Sequence, residues 1–200
     1  LGPDAESVAL AWRFPGLASK DFEVLQVVSQ VLYNGKAGLI DLDLNQQQKV
    51  LNSYGYPMGL ADYSAFILGG LPKQGQMLEE VKDLLLNEIK KLRAGEFDEK
   101  MLQANINNFK LYELQSMESN EGRADIFVNS FINGTNWEDE VTAIDRMAKL
   151  TKEDIVAFAD KYLKEDNYAV VYKKQGKDPN EKKMTKPEIT PIVSNRDVAS

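Results

Sequence analysis

The chain reads as an α+β domain whose mixed or antiparallel sheet carries its helices mainly on one face. Three observations predict this. Two consecutive strand-like segments, Val50–Met58 and Ala61–Leu71, are joined by a short turn near Pro57-Met58-Gly59, and a short connection forces antiparallel pairing. Strands also open and close the domain, at 7–14 and 168–173, with a run of helices before the last one, so strands and helices do not alternate as in a parallel sheet. Finally, the amphipathic stripes of helices 21–34, 76–93 and 98–117 need a common apolar surface to bury.

Each element has a local cause. Ser7–Phe14 alternates, with Val8, Leu10, Trp12 and Phe14 on one face, and Pro15-Gly16 close the strand. Ser19 caps the helix Asp21–Asn34, which carries Val24, Val27, Val28 and Val31 on one side and stops before Gly35. Gly38–Gln48 is expected as a short second helix with Leu39, Leu42 and Leu44. Of the two paired strands the second is the stronger, with Phe66, Ile67 and Leu68, and Gly69-Gly70 reads as the turn that stops it. Gln76–Arg93 places Leu78, Val81, Leu85, Ile89 and Leu92 at helical spacing, with Lys90, Lys91 and Arg93 in the last turn and Gly95 behind. Asp98 opens a long helix to about Met117, Ser119–Ile132 is another, ended by Asn133-Gly134, and Trp137–Lys149 follows. Thr151-Lys152-Glu153-Asp154 resembles a capping box with Asp in place of Glu or Gln. Residues 5–173 therefore form one domain, and 174–200, rich in Lys, Pro, Asp and Asn, an extended linker or arm.

Composition excludes several functions. None of the 200 residues is histidine or cysteine, so a usual zinc, copper or iron–sulfur site, a Ser-His-Asp triad and a Cys-His nucleophile are all ruled out within this chain. No cofactor is expected in it. The formal charge of −7 argues against a nucleic-acid partner, which needs a basic stripe. No apolar run approaches the roughly 20 residues of a membrane span. Leu1–Glu6 has neither the basic start nor the apolar core of a targeting segment, which leaves the compartment open; a signal peptide ahead of Leu1 would export the protein.

Few residues remain as candidates for chemistry. Neighbouring acids on a helix do not share a face, and Glu138–Glu140 and Glu153/Asp154 sit in first turns, where the helix dipole favours negative charge. Asp41 and Asp43 could flank a cation, but no calcium-type loop surrounds them. Tyr54-Gly55-Tyr56-Pro57 sets two phenols beside a strand edge, where they can contact a peptide laid along the sheet or donate to an oxyanion.

An ordered set of segments carries a resemblance. It runs from the strand ending Phe14-Pro15 and the helix leading to Val31-Leu32-Tyr33-Asn34-Gly35, through Gly38-Leu39-Ile40 and Leu51-Asn52-Ser53-Tyr54-Gly55-Tyr56. It continues with Leu92-Arg93-Ala94-Gly95-Glu96-Phe97-Asp98-Glu99 and Leu150-Thr151-Lys152-Glu153-Asp154-Ile155. Over about residues 7–173 the chain resembles the C-terminal-type, non-zinc module of the pitrilysin/insulinase zinc peptidases, the inverzincins, whose fold is shared with mitochondrial processing peptidase. The resemblance implies the second of four modules of a long fused member, with 174–200 leading to the following half. It implies zinc in a separate module of the parent, held by an H-x-x-E-H motif and a distal Glu. It implies as partners the other modules of the same parent chain, together with peptide substrates. In the module that completes such a site, an Arg and, about seven residues later, a Tyr bind substrate and the oxyanion. Asn45 stands in the arginine's place here and Asn52 in the tyrosine's, while a slip of two residues brings in Tyr54. The pair is thus degenerate, no residue of this chain is catalytic, and Tyr54 and Tyr56 are the substrate-contact candidates.

The leading expectation is a non-catalytic, chamber-forming module of a zinc metalloendopeptidase. An inactive relative serving as a structural or processing subunit, and a free-standing peptide-binding domain, are the alternatives.

Overall fold

The computed structural model describes residues 1–2, 4–177 and 185–188. Its strands are β1 (Ser7–Pro15), β2 (Asn52–Met58), β3 (Tyr63–Leu71) and β4 (Ala169–Lys173). Its helices are α1 (Lys20–Leu32), α2 (Leu78–Arg93), α3 (Glu99–Glu118), α4 (Asn120–Asn133), α5 (Trp137–Val141), α6 (Ala143–Met147) and α7 (Lys152–Tyr162). The strands form one sheet in the order β2-β3-β1-β4, and every neighbouring pair is antiparallel. This is the α+β architecture read from the sequence, with strand ends shifted by one or two residues. Residues 178–184 and 189–200 of the expected arm lie outside the described residues.

Alternation along β1 decides how the sheet is used. Val8, Leu10, Trp12 and Phe14 are all at most 2% exposed and face the helices. Phe66 and Leu68 of β3 stand on the same side, because β3 pairs Trp12 with Phe66 and Leu10 with Leu68. Against this face pack α1, α2 and α7 through Leu25, Val28, Leu32, Val81, Leu85 and Ile155, all fully buried. Phe14 stacks on Phe158 of α7 at 5.7 Å, and the Trp12 indole donates to Lys164 O at 3.2 Å, so the largest core ring has its polar atom satisfied. The capping box of α7 is present in full: Thr151 Oγ1 accepts from Asp154 N, and the Asp154 carboxylate accepts from Thr151 N. Asp is long enough to close it.

The rest of the helices form an arm. Helix α3 is anchored by its first half, where Leu102 and Ile106 are buried. Beyond that, α4 buries only Ser130 and α5 buries nothing. The arm is tied back by Arg146 of α6, which donates to both oxygens of Glu23 on α1 at 2.9 and 2.5 Å, and by an ion pair between Lys20 and Asp139.

Three local expectations are corrected. The helix expected over Gly38–Gln48 is mainly a π-helical turn, Asp41–Asn45, in which Gln46 N bonds Asp41 O and Lys49 N bonds Leu44 O. The wider turn keeps Ile40 and Leu44 both fully buried while Asp41 caps the loop before it, accepting from Asn34 N and Gly38 N at 3.0 Å. The helix expected over Trp137–Lys149 is broken at Thr142, whose hydroxyl bonds back to Glu138 O at 2.6 Å, a contact that bends helices. Gly69-Gly70 is not a turn; both lie inside β3. A Cβ on Gly70 would stand 2.5 Å from Val81 Cγ1, and one on Gly69 would strike the ring of Tyr54. These glycines mark close approach, not a stop.

Candidate functional site: the open face of the sheet

The helices cover one face of the sheet and leave the other open. Register places four cross-strand rows on the open side. Tyr54, Gly69, Ala9 and Val171 form one row, and Tyr56, Ile67, Ala11 and Ala169 the next. Met58, Ala65 and Arg13 flank these on one side, and Asn52, Leu71, Ser7 and Lys173 on the other. Apart from Ile67, the middle of the face is made of small residues (Ala9, Ala11, Ala65 and Gly69), so it is a shallow trough with a ridge of larger side chains along β2. None of the residues in these rows is acidic, although the chain is acidic overall.

Both tyrosines singled out by sequence belong to that ridge. They are two residues apart on one strand and therefore on one face. Their rings stack, with centroids 6.2 Å apart and an interplanar angle of 19°. Tyr54 lies flat over Gly69, where an added Cβ would be 2.3 Å from its Cζ. The glycine thus lets the ring lie down on the sheet. Tyr56 stands more freely, 46% exposed. The Tyr54 hydroxyl has no hydrogen-bond partner among the described residues. Strand β2 is an edge strand, but Ser53 N and O are taken by the Asn45 amide, Gly55 is buried and Pro57 carries no N–H, so little of its backbone is free to pair.

Asn45 and Asn52 are not brought together. The Asn45 amide is spent on β2: its Nδ2 donates to Ser53 O at 2.9 Å, and its Oδ1 accepts from Ser53 N and Ser53 Oγ, both at 2.8 Å. It works as a one-residue strand that pins the π-helical turn to the start of β2. Asn52 stands exposed on the open face opposite Leu71. Asp41 and Asp43 diverge as well. Asp41 is the buried loop cap described above, and Asp43 accepts from Lys91 Nζ at 2.6 Å. Lys91 also donates to Glu88, 1% exposed, at 2.9 and 3.2 Å. Burial pushes the Glu88 carboxyl up despite Lys91, whereas the Lys91 hydrogen bond holds Asp43 below the usual carboxylate range. Burial alone would lower Lys91, but its bonds to Asp43 and Glu88 win and raise it. This cluster clamps the turn before β2 to α2. Among the described residues no three acidic side chains are grouped to hold a metal ion.

Sequence reasoning missed Arg13 and Gly69. Arg13 is exposed on the open face, and its guanidinium lies 3.5 Å above the Tyr63 ring, a stacked cation without an ion pair among the described residues. The signal was in the alternation of β1: the positions between the core residues read Ala9, Ala11, Arg13, small and then basic.

A family model described as the peptidase M16 inactive domain matches residues 2–109, which spans β1 through the first half of α3. The chain belongs to this family. The expectation of a C-terminal-type, non-zinc module of this peptidase family, drawn from the ordered segments, was therefore correct. Among curated proteins it is similar to the zinc protease PqqE of Helicobacter pylori, 27% identical over 179 residues. That match takes in 86% of this chain and 39% of the relative, so the chain spans about two fifths of the relative's length. Among solved structures it is similar to a protease from Helicobacter pylori, with 22% identity and a TM-score of 0.78 over 84% of this chain and 40% of that one. It is also similar to the inactive peptidase domain of a protein described as a zinc protease from Bordetella parapertussis. There the identity is 17% and the TM-score 0.77, over 90% of this chain and 97% of that one. These two likenesses carry the fold.

Proposed function

We propose that this M16 inactive domain is a non-catalytic, chamber-forming module of a zinc metalloendopeptidase. It packs against a zinc-bearing module outside this chain and offers the open sheet face to the peptide. The observation that carries the reading is that face itself. It is a trough of Ala9, Ala11, Ala65 and Gly69 beside the stacked pair Tyr54 and Tyr56, uncovered by the domain's own helices. A peptide in extended form finds apolar floor and two phenol rings along one line. The chemistry is assigned elsewhere because a chain without imidazole or thiolate supplies no usual zinc ligand set.

Two measurements test this. In the longer parent, a photo-crosslinking benzoyl-phenylalanine in place of Tyr56 should capture bound peptide, and the same group in place of Val128 on α4 should not. Capture at Val128 alone, or at neither position, contradicts the assignment. The isolated domain should give blank zinc calorimetry and no peptide cleavage, and stoichiometric zinc binding would overturn its non-catalytic status.

A further inference from the structure

Helix α4 carries apolar residues on the side that a surface helix normally keeps polar. Ala124, Phe127, Val128, Phe131 and Ile132 recur at i, i+3, i+4, i+7 and i+8, the spacing with which a helix packs on something. Its inward side is served separately by Ile126, half-buried, and Ser130, buried. The stripe faces solvent: Phe127 is 58% exposed, Phe131 88% and Ile132 69%. Trp137 of α5 extends it, stacked on Phe127 with centroids 4.4 Å apart. With Val128 52% and Trp137 41% exposed as well, these side chains form one contiguous exposed apolar surface, the usual mark of an interaction site.

The charge around the stripe says what kind of partner fits. Residues 107–141 hold Lys110 and Arg123 against Glu113, Glu118, Glu121, Asp125, Glu138, Asp139 and Glu140. Two cations against seven carboxylates leave most of the chain's −7 on this one segment, although Asp139 is paired with Lys20 and Arg146 and adds nothing to the rim. Arg123 is turned into the α3–α4 junction, where it donates to Met117 O at 2.5 Å and to Asn120. A second copy of the chain would set this acidic rim against itself, which complementary interfaces avoid.

We propose that the outer face of α4, with Trp137, is a docking surface for a partner helix whose apolar stripe is flanked by lysines and arginines. Phe131 and Phe127 are its anchors, and the carboxylates around them select the basic partner and reject an acidic one. This surface is separate from the open sheet face, and its role does not depend on the peptidase reading.

The test uses two synthetic amphipathic helices of about 20 residues, a length at which isolated helices hold together. They share one Leu stripe and differ only in Lys or Glu flanks. Trp137 is the reporter, since the other tryptophan, Trp12, is 1% exposed. The Lys-flanked peptide should shift Trp137 emission and bind at least about tenfold tighter than its Glu-flanked twin, the gap closing as salt screens the rim. Phe131→Asp, at a site too exposed to disturb folding, should weaken binding about tenfold or more, as loss of an anchor does. Tyr56→Ala should leave it unchanged. Equal binding of the two peptides, binding of neither, or binding that survives Phe131→Asp would overturn the proposal. So would self-association in ultracentrifugation that Phe131→Asp abolishes, which would make a second copy the occupant.

Discussion

Helices α1 and α4 are nearly the same length, 13 and 14 residues, yet α1 buries seven residues and α4 one. Composition does not explain the gap, because α4 holds Ile126, Phe127, Val128, Phe131 and Ile132. What differs is the partner. The stripe of α1 meets the sheet face of β1 and β3, where Trp12, Phe14, Phe66 and Leu68 complete it. Among the described residues the stripe of α4 meets only Trp137 of α5 and otherwise stands exposed. An amphipathic pattern therefore fixes which side of a helix will be covered, and not whether the cover belongs to the same polypeptide. The sheet with α1, α2 and α7 carries its own core. The arm from the second half of α3 to α5 is held by one end, by the Arg146–Glu23 pair and by the Lys20–Asp139 pair.

The sharpest way to break this contrast is to remove the same side chain from both regions. Phe66→Ala, in the core, should cost about 3–5 kcal/mol in urea melts, while Phe131→Ala should stay within about 0.5 kcal/mol. Similar costs at the two positions would mean that the arm is packed after all. Next comes Gly69→Ala, which puts a methyl into the Tyr54 ring and should cost about 1 kcal/mol. Adding Tyr54→Ala should recover most of it, and a purely additive double-mutant cycle would show that the ring does not rest on the glycine. Smaller again is Arg146→Ala, about 1 kcal/mol or less because both partners are partly exposed. Its clearer signature is in hydrogen exchange: amides of α4 to α6 should exchange faster while those of β1 and β3 keep their protection.

The smallest effect is a pH dependence at the start of α7. Backbone and side-chain hydrogen bonds from Thr151 hold the Asp154 carboxyl below its ordinary value. The native state then binds its proton less readily than the unfolded chain, so the contribution is complete above a pH of about 4 and is lost as pH falls through the lower folded value. Asp154→Ala should cost about 0.5 kcal/mol at neutral pH. The wild-type advantage should shrink below about pH 4.

The sheet, the three core-facing helices and the cap of α7 were legible in the sequence because each has a strong local signature. The alternation of Val8, Leu10, Trp12 and Phe14, the 3.6-residue recurrence of Leu78, Val81, Leu85 and Leu92, and the reciprocal bonds of Thr151 and Asp154 are such signatures. What was not legible depended on distant neighbours. Gly69-Gly70 looks like a stop until Tyr54 and Val81 are seen lying against it. The Gly38–Gln48 segment looks like a plain helix until the burial of Ile40 and Leu44 beside the Asp41 cap demands a wider turn. Of the candidate site, Tyr54 and Tyr56 were found from the sequence, but the trough they border was not. It exists only when Ala9, Ala11 and Arg13 of one strand stand beside Ala65, Ile67 and Gly69 of another, 52 to 60 residues away by their pairing.

On the proposed function, this domain contributes binding to a peptidase and no chemistry. Steady-state cleavage by the longer parent, carrying Tyr54→Ala with Tyr56→Ala, tests it most directly. Loss of a contact made equally to substrate and transition state raises KM and leaves kcat alone. The expected outcome is a KM raised about tenfold, the effect of about 1.4 kcal/mol of lost contact, with kcat within about twofold of wild type. A kcat lowered about a hundredfold at unchanged KM, reproduced by Tyr54→Phe alone, would mean that the Tyr54 hydroxyl serves the oxyanion, and would contradict it.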